Sequence, residues 1–280
     1  MRYAEHPLIP KGVVTVNQRR GAWLKLLCVL GVSWSCDPNA PDTSSPGTGP
    51  GVRACGVDGV LLCDDFEGAS VGAAPDASKW QVQIFENKGA ISIDGTQAHS
   101  GSKSVYVNGN GTGSYRSVLF TTTAPFPPQR NSFYARVFLR SKNGMGQGHS
   151  TYFGGGSADN QRMVRVGFHQ YVLEANLIHP GTEYEVMSGP WGEPSKGVQL
   201  QAGKWHCVEA FFNGAQHELR VWFDGTEVEG LHTTNWGKNL STWSPQYGKA
   251  WFGFETYHSE QDELWYDDVI IGTQRIGCGG

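Results

Sequence analysis

The sequence is notable first for what it does not contain. No glycine-rich nucleotide-binding fingerprint occurs, and the cysteines follow no common zinc spacing. No apolar run is long enough to cross a membrane as part of a mature domain. No segment makes a convincing amphipathic helix longer than two turns, and no internal repeat is visible. Only 17% of the residues are charged, and the formal net charge is −4. Setting aside the basic start of the chain leaves 17 basic against 25 acidic residues, which excludes general nucleic-acid binding.

Aromatics and glycine are abundant, with ten Trp, ten Tyr, thirteen Phe and 38 Gly in 280 residues. Short aromatic and β-branched segments punctuated by Gly, Asn and Asp favour strands and turns. Charge is unevenly placed. Between Arg116 and Arg165 stand seven basic residues (Arg116, Arg130, Arg136, Arg140, Lys142, Arg162 and Arg165) against Asp159 alone. Such a zone attracts an anionic ligand, unless its arginines are merely scattered and solvated.

The first 36 residues read as an export leader. "NQRRGAWLKLLCVLGVSWSCD" has a basic start, a short apolar stretch from Leu26 to Trp34, and small Ser35 before Cys36. Ser35-Cys36 matches the end of a lipobox, with Cys36 as the lipidated residue and the lipid as the sole membrane contact. Ordinary signal cleavage is the alternative, and Arg19-Arg20 hints at twin-arginine export. Residues 37–54, rich in Pro, Gly, Ser and Thr, form a flexible tether. A single domain is expected from 55 to 280. Four cysteines remain there, Cys55, Cys63, Cys207 and Cys278, and an even number in an exported chain implies disulfides. Three connectivities are open. Cys55–Cys63 would close a small loop at the domain entrance, and Cys207–Cys278 would staple the last strand to the middle of a sheet.

Alternation supplies the fold class. "SFYARVFLR" sets Phe133, Ala135, Val137 and Leu139 against Tyr134, Arg136, Phe138 and Arg140. "HELRVWFDGTEV" places Leu219, Val221 and Phe223 on one side and ends in an Asp224-Gly225 hairpin turn. "GKWHCVEAFFNG", "KAWFGFETYH", "MVRVGFHQ" and "YVLEANLI" behave alike. Short strands with one apolar and one mixed face make an all-β, two-sheet sandwich, with ligand expected on a concave face. Three faces combine aromatic and polar groups: Tyr134, Arg136, Phe138 and Arg140; Met163, Arg165 and His169; and Lys249, Trp251, Glu255 and Tyr257. Aromatic faces stack on sugar rings and Arg forks bind carboxylates, although ordinary cross-strand pairing also produces such faces.

Carboxylates open and close this domain, in "LLCDDFEG" and "LWYDDVIIG". Together with "HSGSKSVYV", "AGKWHCVEAFF", "VWFDGTEV" and "WYDDVIIGTQRIGC", in that order, they resemble the concanavalin A-like jelly-roll proteins related to polysaccharide lyases. The fungal cellulose-induced protein and the glucuronan lyases are the relevant relatives. The resemblance covers Cys55 to Cys278. It implies a jelly roll with a structural Ca2+ held between the first strand, an early loop and the last strand. Glu67, Asp267 and Asp268 would supply charge, and Ser100 and Lys103 would supply loop oxygens. If no metal is held, the acidic pairs cap strand ends.

The same resemblance implies a lyase that cuts a uronate-containing polysaccharide by β-elimination, surface-anchored where Cys36 carries a lipid. Such an enzyme neutralises a carboxylate, removes the C5 proton and protonates the leaving oxygen. Tyr257, His149, Arg165 and Gln161 are the residue types for these tasks, with Arg136, Tyr134, Arg140, His169 and Trp251 as substrate-binding candidates. The alginate lyase signatures, Gln-(Ile/Val)-His and Tyr-Lys-Ala-Gly, are missing from the sequence, so no role transfers by motif. A non-catalytic glycan-binding lipoprotein is the second reading. A glycoside hydrolase using Glu174 and Glu255 is a weaker third. A monomer is expected.

Overall fold

The computed structural model describes residues 54–56, 58–109, 115–121, 126–179, 182–234, 245–257 and 260–279. The expected leader, Cys36 and nearly all of the tether lie outside these residues.

Among the described residues the regular elements are strands and short 3-10 turns. The strands are β1 (Val60–Asp64), β2 (Gln81–Ile84), β3 (Ala90–Asp94), β4 (Ser104–Gly109), β5 (Tyr115–Thr121), β6 (Ser132–Ser141), β7 (Ser150–Gly156) and β8 (Met163–His169). They continue with β9 (Val172–His179), β10 (Thr182–Met187), β11 (Trp205–Asn213), β12 (Glu218–Phe223), β13 (Thr226–Glu227), β14 (Lys249–Thr256) and β15 (Asp262–Gly272). An eight-stranded sheet runs β13-β12-β11-β6-β15-β4-β3, with β1 also paired to β15, and a seven-stranded sheet runs β10-β9-β8-β7-β14-β5-β2. All pairings are antiparallel. The architecture is the expected two-sheet jelly roll.

The period-2 pattern decides which side chains meet between the sheets. Phe133, Ala135, Val137 and Leu139 of β6 face inward with Val208, Ala210 and Phe212 of β11. Val164, Val166 and Phe168 of β8, Leu173, Ala175 and Leu177 of β9, and Phe252 and Phe254 of β14 belong to the same core. The expected hairpin forms at Asp224 (φ 47°) and Gly225 (φ 83°), joining Phe223 to Thr226. Two positive φ angles suit the right-handed twist of the flanking strands.

β15 organises the larger sheet. Its first half pairs with β4, its second half with β1, and β6 runs along its other edge. At its start the buried Asp262 accepts hydrogen bonds from the Ser141 hydroxyl, Asn143 N (3.1 Å) and Glu263 N (2.8 Å). Burial outweighs these bonds and raises its pKa to about 6. Both disulfides form as Cys55–Cys63 and Cys207–Cys278, with sequence separations of 8 and 71 residues.

Two outcomes follow from these contacts. On chain-entropy grounds, losing Cys207–Cys278 costs roughly 4 kcal/mol and losing Cys55–Cys63 roughly 2.5 kcal/mol. Denaturant titrations of the two double-alanine variants should rank them in that order. A raised folded-state pKa means that Asp262 stabilises the fold while protonated, and that this contribution fades as pH rises from about 4 through about 6. Asp262→Asn should therefore show a shallower loss of melting temperature across that window than the parent protein. Equal slopes would remove Asp262 from the account.

Candidate functional site

The outer face of the seven-stranded sheet gathers the titratable groups. With Val164, Val166 and Phe168 turned inward, Arg165 and His169 of β8 point outward. Glu174 and Asn176 of β9 do likewise between Leu173, Ala175 and Leu177. On β14, Glu255 and the following Tyr257 lie opposite Phe252 and Phe254. Cross-strand register brings Arg165 beside Asn176, Arg116 of β5 beside Glu255, and Glu185 of β10 beside Asn176. A bulge at Gly253 (φ 147°) shifts the pairing of β14 with β7 just before Glu255. A Cβ there would lie 2.2 Å from Ser117 O, so only glycine allows this approach.

Arg165 is fully buried. Its Nε (2.9 Å) and one terminal nitrogen (2.5 Å) donate to Asn176 Oδ1. Its other terminal nitrogen donates to Glu255 Oε2 (3.3 Å) and to the Tyr257 hydroxyl oxygen (2.5 Å). The Tyr257 hydroxyl in turn donates to Glu255 Oε1 (3.0 Å), which also accepts from Arg116 Nε (2.9 Å). Burial alone would raise the Glu255 pKa, but Arg165 and Arg116 overcome it and hold the carboxyl below its ordinary range. For Tyr257, burial and the Glu255 charge outweigh the pull of Arg165, and the phenol pKa is raised. Tyr257 is 38% exposed while Arg165 is not exposed at all, so the tyrosine is the open end of this network.

A second group adjoins it. The His149 ring lies 5.4 Å from that of Tyr257 and stacks on His169 at 5.3 Å. His149 Nε2 is 2.7 Å from Glu174 Oε1, and its Nδ1 is 3.6 Å from Glu185 Oε1. Burial lowers the His149 pKa, yet Glu174 and Glu185 more than compensate and leave it raised. Donor atoms of His149, Glu174 and Glu185 all lie within 4.8 Å of one another, the spacing a metal ion would need. Here the imidazole itself stands between the two carboxylates and can carry the neutralising charge. Trp191, 59% exposed, sits edge-on to His169 at 4.7 Å and offers an open aromatic surface at this end of the face.

Of the residues expected to act together, the fold unites Arg165, Tyr257, His149 and His169. Gln161 stands apart, exposed in the turn between β7 and β8, where its N–H donates to Asp159 Oδ1 (3.0 Å). His149 lies at the opposite end of those strands, because β7 and β8 run antiparallel. Trp251 shares the face but is buried against Val118 and Phe120, with no free surface for a sugar. Tyr134, Arg136 and Arg140 belong to β6 and hence to the other sheet. There Tyr134 stacks on Phe211 (4.4 Å), Arg136 covers Phe138 and Arg140 covers Trp265. Alternation turned them outward correctly but could not assign the sheet. Asn176, Glu185 and Trp191 are site residues that the sequence reading does not single out, and it names Arg116 only as a member of the basic zone. Arg116 and Asn176 follow the strand alternation, and Trp191 stands in a Gly/Pro turn, so each left a readable signal.

The residues expected to hold calcium are also gathered, but by donors. Glu67 accepts from Ser102 N (2.7 Å), Lys103 N (2.7 Å) and the Ser102 hydroxyl (2.9 Å). Asp267 Oδ2 accepts from His99 N (2.8 Å) and Ser100 N (3.0 Å). Asp268 meets His99 Nδ1 (2.7 Å) and the Ser100 hydroxyl (2.9 Å). Lys103 contributes an ammonium, which donates to the carbonyls of Glu67 and Ala69 at 2.8 Å each. This arrangement does not fit calcium, whose ligands are convergent oxygens.

Comparison with known proteins places this geometry. A family model described as polysaccharide lyase-like, Cip1-like, core domain matches residues 66–274. The solved structure of cellulose induced protein, Cip1, is similar at a TM-score of 0.63 and 24% identity, covering 78% of this chain and 100% of that one. The binding domain of botulinum neurotoxin serotype D/C is similar at TM-score 0.51 and 15% identity, covering 78% of this chain and 49% of that one. Botulinum neurotoxin DC binding domain in complex with rat synaptotagmin II gives TM-score 0.50 and 14% identity over 77% and 48%. This chain thus spans about half the length of the neurotoxin domains, and at such identities the likeness is one of fold. No curated protein sequence matches the chain. The matched segment runs from Phe66 beside the first strand to Gln274 just past the last, and the protein therefore belongs to the Cip1-like, polysaccharide lyase-like family, a carbohydrate-related family.

Proposed function

We propose that this protein is a polysaccharide lyase that cleaves a uronate-containing glycan by β-elimination. The observation that carries the reading is the Tyr257 hydroxyl, partly exposed and held between the Arg165 guanidinium and the Glu255 carboxylate. Arg165 has its polar edges committed to Asn176, Glu255 and Tyr257, so it positions the phenol rather than receiving substrate. Arg116, whose side chain is a quarter exposed, is the cation available to a uronate carboxylate, and the charge-assisted contact would acidify C5–H. Ionised Tyr257 takes the C5 proton, the C4–C5 double bond forms as the C4–O bond breaks, and the Tyr257 phenol returns the proton to the leaving oxygen. Trp191 and His169 line the approach, and stacking on Trp191 would hold a neighbouring sugar ring. The acidic polymer is the partner, with the chain acting as an exported monomer, secreted or anchored through lipidated Cys36. The two disulfides are compatible with an extracellular setting.

A panel of polyuronates, assayed by the ultraviolet absorbance of the unsaturated product, tests this reading. Tyr257→Phe should abolish turnover while binding changes less than about threefold, because the ring and its stacking remain. Arg116→Ala should weaken binding of polyuronates and leave neutral glucans unaffected. If no polymer is cut and Tyr257→Phe binds like the parent, the protein is a glycan-binding module on the same scaffold.

The pH profile gives an independent check. Tyrosinate is the reactive form and its pKa is raised, so kcat/KM should climb into the alkaline range without a plateau near neutrality. A profile that levels just above the ordinary histidine pKa would transfer the base role to His149.

A further inference from the structure

The loop that closes the larger sheet contains its own cation. Residues 97–103 lie against the segment after β1 and the bulge in β15. Lys103 stretches back through the loop so that its ammonium donates to the backbone carbonyls of Glu67 and Ala69, both at 2.8 Å. The Glu67 carboxylate caps the same loop by accepting the N–H groups of Ser102 and Lys103. Gly101, at φ +61°, permits this contact, since a Cβ there would fall 2.5 Å from Glu67 Oε1. One carboxylate and two carbonyls from a single turn are the hard oxygens that a divalent cation would use. In this chain the carbonyls bind nitrogen instead.

We infer that the Lys103 ammonium replaces a divalent cation in this clasp, so that the early loop, the first strand and the last strand are joined without calcium. Three features support the substitution. The 2.8 Å contacts are ordinary N–H···O distances, longer than the roughly 2.3–2.6 Å of calcium–oxygen bonds. Glu67 already accepts three donors, two at Oε1 and one at Oε2, so its carboxylate is oriented towards the loop N–H and O–H groups and not towards the high oxygen coordination that calcium prefers. Asp267 and Asp268 accept from His99 and Ser100, and these bonds pin the loop to β15. One lysine thus supplies in cis the positive charge that these carbonyls would otherwise take from solution. The inference is independent of any lyase activity.

The test is thermal unfolding of the whole protein in CaCl2 and in EGTA at matched ionic strength. Coincident melting curves are expected for the parent protein, with no stoichiometric calcium by elemental analysis after dialysis. Lys103→Ala should lower the melting temperature by on the order of 5 °C, for the loss of two charge-assisted bonds. With its carbonyls vacated, the variant should acquire a stabilising response to Ca2+. A parent protein that melts earlier in EGTA, or that retains one calcium per chain, would overturn the inference. So would a Lys103→Ala variant that melts with the parent. Should Lys103→Ala not fold, Lys103→Gln replaces it, keeping a donor without the charge, with a smaller but measurable loss of stability expected and a coincident melt overturning the inference.

Discussion

A buried guanidinium on the outer face of a sheet dictates most of what surrounds it. Arg165 is fully removed from solvent, and an unpaired charge there would be untenable. Glu255 supplies the countercharge, Asn176 takes two further donors, and the remaining direction is filled by the Tyr257 oxygen. Arg116 then balances the carboxylate from the other side. The tyrosine is fixed as a consequence, with one edge in the network and the other in solvent. The phenol is held in one position at the mouth of a buried charge network, and burial with the Glu255 charge keeps it protonated until the pH is alkaline.

The neighbouring cluster obeys the same rule with the opposite excess. Glu174 and Glu185 are the burdensome charges there, and His149 between them is the neutralising group. The face is therefore graded, from arginines at β5 and β8 to carboxylates at β9 and β10. A linear acidic polymer would meet attraction at one end and a stacking surface with acidic neighbours at the other.

Much of the fold was legible because alternation is a strong signal when one face of each strand is buried. The β6, β8 and β14 patterns identified the inner residues of both sheets, and Asp224-Gly225 identified a hairpin. Alternation fixes inward against outward, but it does not say which sheet a strand joins. For that reason Tyr134, Arg136 and Arg140 were grouped with a ligand face from which the sheet order separates them. Gln161 lies at the end of the β7–β8 hairpin away from His149, and residue type alone does not say which end of a hairpin a turn occupies. The carboxylates at the two ends of the domain meet the early loop. What satisfies them depends on the reach of the Lys103 side chain, which spacing cannot show.

The central claim is that the outer face of the seven-stranded sheet, around Tyr257, is where this protein meets its polysaccharide. The most direct measurement is a crystal structure of the Tyr257→Phe variant with a bound oligouronate. The account predicts a uronate carboxylate on Arg116, the C5 hydrogen directed at the ring edge from which the substitution removes the hydroxyl, and a neighbouring sugar stacked on Trp191. An oligosaccharide seated instead on the eight-stranded sheet, against Tyr134 and Arg140, would contradict it.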